Sequence, residues 1–121
     1  MRKHLTYGTP IDECVKAFAA ELPHDAVGLW QIANTLKRGY GLERPDLEKF
    51  TRESIAHLLQ AGAVPVYGSN LDNLWHKAAG FDGSPEQIVE QVVQYAIDLG
   101  RDPDVQDLWF AFPQHVASAG A

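Results

Sequence analysis

Apolar positions recur at helical spacing along much of the chain. Ile11, Val15, Phe18 and Leu22 form the first such stripe. Thr9-Pro10-Ile11-Asp12 supplies its start, with Thr9 as cap, Pro10 at the first helical position and Asp12 near the positive end of the helix dipole, and Pro23 closes it. A second helix is predicted from an N-cap at Asp25 to about Arg38, where Gly39-Tyr40-Gly41 stops it. Leu29, Ile32, Ala33 and Leu36 share one of its faces, with Trp30 on the flank. Arg44-Pro45-Asp46 opens a third helix that runs through Gln60 to a stop at Gly62. Its stripe is Leu47, Phe50, Ile55, Leu58 and Leu59, and Glu48 with Arg52 forms an i,i+4 pair on the other side.

Beyond Gly62 the pattern changes. Residues 63–67, Ala-Val-Pro-Val-Tyr, read as a short extended segment that Pro65 confines to a sheet edge or leaves unpaired. Leu71, Leu74, Trp75 and Ala78 return to helical spacing and predict one or two helical turns before Gly80. Ser84-Pro85-Glu86-Gln87 is a capping box with proline at the first helical position, and it predicts a helix to about Leu99 with Gly100 as its stop. Ile88, Val92, Tyr95, Ala96 and Leu99 face inward, while Glu86, Glu90, Gln94 and Asp98 project outward with Ile97 among them. Asp102-Pro103 starts a last short element carrying Val105, Leu108, Trp109, Phe110 and Phe112, and Pro113 ends it. The expected architecture is mainly α: one compact domain over residues 1–121, a bundle of about five helices with a short extended segment near 63–67 and flexible ends at 1–8 and 114–121.

Composition is compatible with that bundle. At 121 residues, 45% hydrophobic, with three Trp, four Tyr and five Phe, the chain can bury enough surface to offset its conformational entropy, which excludes a disordered chain. Cys14 is the only cysteine, so no intramolecular disulfide and no paired-Cys metal framework is available; it lies beside the first stripe and reads as an inert core thiol. Neither an apolar run behind Arg2 and Lys3 nor a stretch of eighteen apolar residues is present, and the expectation is a cytoplasmic protein.

The net charge of −6 is distributed unevenly. Residues 1–70 hold eight acids and eight bases, whereas residues 71–121 hold eight acids against Lys77 and Arg101 alone. A field of that sign repels nucleic acid and anionic lipid and attracts basic surfaces. Acidic solvent faces also serve solubility, and that is the ordinary reading until the outward projection of the predicted fifth helix is considered.

No motif names a reaction. Gly39-Tyr40-Gly41 lacks the spacing of a phosphate cradle, and Ser54, Ser69 and Ser84 lack a nucleophile elbow. Asp72 and His76, four apart, have a spacing compatible with a metal site or an acid–base pair, but no third ligand is placed, and His4, His24, His57 and His115 are scattered. No catalytic residue, metal or cofactor is assigned. Helix, helix and extended segment resemble half of a winged helix, yet Lys49 and Arg52 on the third helix alternate with Asp46 and Glu53, where a phosphate-binding face is decisively basic. Two aromatic clusters remain, Leu29-Trp30 and Leu108-Trp109-Phe110-Ala111-Phe112; five consecutive apolar residues do not all face inward on a short element, so one or two are expected at the surface.

Gly28-Leu29-Trp30-Gln31-Ile32, then Leu58-Leu59-Gln60-Ala61-Gly62, the later Trp75, and Leu99-Gly100-Arg101-Asp102-Pro103 with Leu108-Trp109-Phe110 give the chain a further likeness. Over about residues 25–112 it resembles small bacterial immunity proteins encoded beside polymorphic toxins, including those of contact-dependent growth inhibition systems. The resemblance implies a protein without catalytic activity that binds and neutralises a cognate toxin domain, often a basic nuclease, by stoichiometric contact. Glu86, Glu90, Gln94, Asp98, Asp102, Asp104 and Asp107 would then supply steering and rim contacts, with Ile97 and Trp109 as the desolvated centre. Monomer and homodimer both remain open, and the neutral N-terminal half remains an alternative interface. The competing readings are a winged-helix-like nucleic-acid binder and a small enzyme built on Asp72 and His76.

Overall fold

Four short strands, rather than further helical turns, complete the core. The computed structural model describes residues 2–68 and 74–117. In order along the chain these hold α1 (Ile11–Ala20), β1 (Val27–Gly28), α2 (Leu29–Asn34), α3 (Asp46–Gln60), β2 (Val64–Gly68), β3 (Trp75–Lys77), α4 (Pro85–Asp98) and β4 (Trp109–Ala111). The strands form one antiparallel sheet in the order β1-β4-β2-β3. The expected mainly α bundle of about five helices is therefore corrected to a mixed α and β fold.

The helices that start on a clear cap match their sequence signals. Ser84 Oγ accepts the Gln87 N–H at 3.2 Å and Gln87 Oε1 accepts the Ser84 N–H at 2.8 Å, so the capping box opens α4. α3 spans Asp46–Gln60 as expected. α1 begins one residue later than predicted, with Pro10 itself as the capping residue and no side-chain bond from Thr9, whose carbonyl accepts the Tyr40 hydroxyl instead. Asp25 does not start α2: its carboxylate accepts the Ala26 N–H, the chain passes through β1, and the helix opens after Gly28, whose N–H is held by Gln31 Oε1 at 2.7 Å. α2 continues as a wider π-helical turn over Thr35–Gly39, and Gly41, at φ +66°, turns the chain away.

Strands replace the elements whose apolar spacing fitted a helix only loosely. Of the helical turns predicted from Leu71 to Ala79, Trp75–Lys77 is β3 and Leu71 to Asn73 lie outside the described residues. The last apolar run is β4, where alternation sends Leu108, Phe110 and Phe112 to the helical side and Trp109 and Ala111 to the other. That period of two is how five consecutive apolar residues find cover: Leu108, Phe110 and Ala111 are fully buried, and Trp109 and Phe112 half-buried. Pro65 sits in an interior strand, not at an edge. Its carbonyl accepts the Ala78 N–H at 3.0 Å just past the end of β3, so the donor that proline lacks is missed only where that ladder stops.

The helices pack on one face of the sheet. α3 lies between α1 and α4 and also touches α2. Ile11, Val15, Leu29, Ile32, Leu36, Ile55, Leu58, Val92, Leu108 and Phe110 make the main core with Val27. α4 is turned slightly from its predicted phase, so Val89, Val92 and Val93 are its deepest residues. On the opposite face a smaller cluster of Ala26, Val66 and Ala111 is covered by Trp75, Trp109, Val64 and Val116. Gly28 is there for close approach: a Cβ would stand 2.6 Å from the Trp30 ring and 3.2 Å from that of Trp109.

Truncating Phe110 to Ala is expected to cost about 3–5 kcal/mol in urea unfolding, because it empties the centre of the sheet. Val105→Ala, at an exposed turn, should stay within about 0.5 kcal/mol. Gly28→Ala should lose about 1–3 kcal/mol and shift tryptophan emission as Trp30 is displaced; an unchanged spectrum would count against the close packing of these rings.

Candidate functional site

α4 carries its polar face outward. Glu86, Glu90, Gln94 and Asp98 are exposed, and Ile97 among them keeps 41% of its surface open. Part of this charge already has a partner. Glu90 accepts Arg52 Nε at 2.8 Å, which draws the guanidinium of α3 onto α4 and raises the Arg52 pKa; Gln94 donates to Asp98 at 2.8 Å. The expected Glu48–Arg52 pair is thereby replaced, since Glu48 is bonded by Arg44 from one turn earlier.

The loop after α4 uses its acids structurally. Asp107 is only 6% exposed; both its oxygens are taken by Arg101, at 2.7 and 3.0 Å, and it also accepts the Asp104 N–H at 2.8 Å and the Tyr95 hydroxyl at 3.3 Å. The Arg101 guanidinium holds the Asp107 carboxyl below the usual aspartate range against the opposing effect of burial, and the backbone N–H of Asp104 adds to it. Burial pushes the Tyr95 hydroxyl upward, reinforced by Tyr67 and then Asp107. Asp104 lies 3.6 Å from Arg101, and Asp102 pairs with Lys37 at 2.9 Å. Trp109 stands on the other side of the sheet, its ring 5.1 Å from that of Trp75 and its Nε1 donating to Val105. The residues expected to act together thus fall in three places: the outer face of α4, the loop at 101–107, and the far face of the sheet.

Between α2, α3, α4 and that loop runs a groove that the linear sequence does not reveal. It encloses about 350 Å³ over Leu29, Ala33, Leu47, Val93, Ala96 and Ile97, and its rim carries Lys37, Arg44, Glu48, Arg101 and Asp102. Ile97 belongs to both features, exposed on the acidic helix and lining the groove. A smaller recess of about 100 Å³ adjoins it over Trp30, Asn34 and Arg38, sharing Ala33, Lys37, Asp102 and Pro103. A third hollow, about 360 Å³, lies over Cys14, Phe18, Gln31 and Thr35. Burial raises the Cys14 pKa against the opposing hydrogen bond with Tyr40, whose own hydroxyl is pushed up to about 12, chiefly by burial.

The other sequence candidates are dispersed. His76 lies in β3 opposite Tyr67, and Asp72 is outside the described residues, so the helical face on which the two were expected to meet is not seen. Among the described residues no three His, Cys, Asp or Glu side chains form a group that could hold a metal ion. Arg44, just before α3, and Arg52 on it are paired with Glu48 and Glu90, and Lys49 lies over the Phe50 ring at 5.1 Å. No helix among the described residues is long and apolar enough to cross a membrane. Comparison of the chain with protein-family models, with curated proteins and with solved structures gives no significant match.

The Asp107 network has a pH signature. Its folded pKa is lowered, so the native state binds fewer protons than the unfolded one; the stabilisation is complete above the unfolded value and is lost as pH falls through the folded one. Asp107→Asn should cost about 1–3 kcal/mol at pH 7 by urea unfolding, and the gap to the parent should narrow below about pH 4. A gap independent of acid would show that the carboxylate charge does not hold this loop.

Proposed function

We propose that this chain is a cytosolic protein of the bacterial immunity type, which binds a cognate toxin domain stoichiometrically and neutralises it without catalysis or cofactor. The observation that supports the reading is the outer face of α4, where Glu86, Glu90, Gln94 and Asp98 surround an exposed Ile97 that lines the neighbouring groove. Such a face offers long-range attraction to a basic partner and, beside it, an apolar spot that can be dried on contact. Isolated exposed ion pairs contribute only about 0–1 kcal/mol each, so most of the affinity is assigned to Ile97 and the groove, and the acids to the encounter rate.

The structure also narrows which acids are available to a partner. Asp107 is held by two bonds from Arg101 and Asp102 lies in an exposed pair with Lys37, while Glu86 and Asp98 remain on the outer surface. The paired cations of α3 leave little positive surface there for phosphate, which favours a protein partner over nucleic acid.

Co-expression with the product of the neighbouring reading frame should yield a complex and protect cells from it; a neighbour that neither forms a complex nor harms unprotected cells overturns the reading. With a partner in hand, Glu86→Lys with Asp98→Lys should slow association about tenfold at low salt and flatten its salt dependence, with the far-ultraviolet circular dichroism unchanged. Ile97→Asp should act mainly on dissociation. Unaltered kinetics in both variants would move the interface off α4.

A further inference from the structure

The groove and the recess beside it differ in chemistry in a way that selects a ligand. The larger compartment is floored by Leu29, Leu47, Val93 and Ala96, and its volume of about 350 Å³ lies at the lower end of the range for small-molecule sites. The smaller, about 100 Å³, is lined by Asn34, Lys37 and Arg38, whose side chains all carry hydrogen-bond donors. Trp30 borders that recess, and its Nε1 is buried with no hydrogen-bond partner among the described residues, although a buried indole N–H ordinarily has one. Among the described residues the one acid lining the recess is Asp102, already paired with Lys37 at 2.9 Å. In a chain of net charge −6, the recess therefore carries a local surplus of one positive charge.

The Lys37–Asp102 pair stands where the two compartments meet, since both residues line both of them. Both side chains are largely exposed, so the pair is held weakly and can exchange one carboxylate for another.

We propose that the two compartments form one binding site for a small amphipathic carboxylate, with its apolar body in the groove and its head among Lys37, Arg38 and Asn34. The head group takes up the donors of the recess and competes with Asp102 for Lys37. The body displaces water from a surface that is otherwise apolar and wet. The groove is shared with the surface assigned above to a protein partner, so ligand and partner would compete for Ile97, whereas ligand binding to the chain alone does not rest on that reading.

Decanoate is the probe, with decanol as its uncharged counterpart, and isothermal titration calorimetry on the full chain is the measurement. Decanoate should bind saturably well below about 1 mM and at least about tenfold more tightly than decanol. The double change Lys37→Gln with Arg38→Gln should weaken decanoate about tenfold and leave decanol within about twofold. Ala96→Phe, which fills the groove, should abolish both; should that variant fail to fold, Ile97→Asp at the exposed lip should weaken both about tenfold without disturbing the core. Equal binding of acid and alcohol, undiminished binding by the groove variants, or no saturation up to about 1 mM would each overturn the site.

Discussion

Everything in this fold waits on one insertion: β4, near the end of the described chain, lies between β1 and β2. Val27 and Pro65 both stand opposite Phe110, so a residue from each third of the molecule meets in one row of the sheet. β1 is only two residues long and β4 three, and neither has enough hydrogen bonds to persist alone. What holds them is Phe110 and Leu108 buried against Leu29, Ile32 and the helices above. The helical layer and the sheet are then parts of one cooperative unit, and loss of β4 would uncover the faces of both.

That arrangement explains what was legible in the sequence. α3 and α4 are long, carry sustained stripes and begin at recognisable signals, and both appear close to where the residues place them. The strands left no comparable trace. Two residues at Val27–Gly28 are too few to display a period, and Trp75–Lys77 and Trp109–Ala111 sit in apolar runs that match helical and extended spacing about equally well. Pro65 argued against an interior strand because its position at the end of the β2–β3 ladder depends on Ala78, thirteen residues on. Gly28 looked like a mid-helix residue, whereas its role is to let Trp30 lie close against the backbone beside Trp109.

Charge was legible as a sum but not as a set of pairs. The acids of the C-terminal half are real, yet Glu90, Asp102 and Asp107 each hold a cation from elsewhere: Arg52 on α3, Lys37 on the π-helical turn, and Arg101 in the preceding loop. The i,i+4 rule found a favourable Glu48–Arg52 pair, but Glu48 takes the i,i+4 neighbour on its other side, Arg44, and tertiary proximity draws Arg52 to Glu90. The groove was invisible for the same reason. Its floor comes from α2, α3 and α4, and only folding brings Ala33, Leu47 and Ala96 into one surface.

The sheet ends on β3, and the strand there is not left bare. Val116 forms a parallel bridge to Trp75, and the Ala117 N–H reaches the Trp75 carbonyl at 2.8 Å. Two residues just past a single 3-10 turn at Pro113–His115 therefore act as a selvedge, closing main-chain groups that would otherwise template another strand. Trp75 on β3 and Trp109 on β4, their rings 5.1 Å apart, lie along that margin. A short length of main chain there takes up hydrogen-bonding groups that a bare edge strand would present to a second sheet.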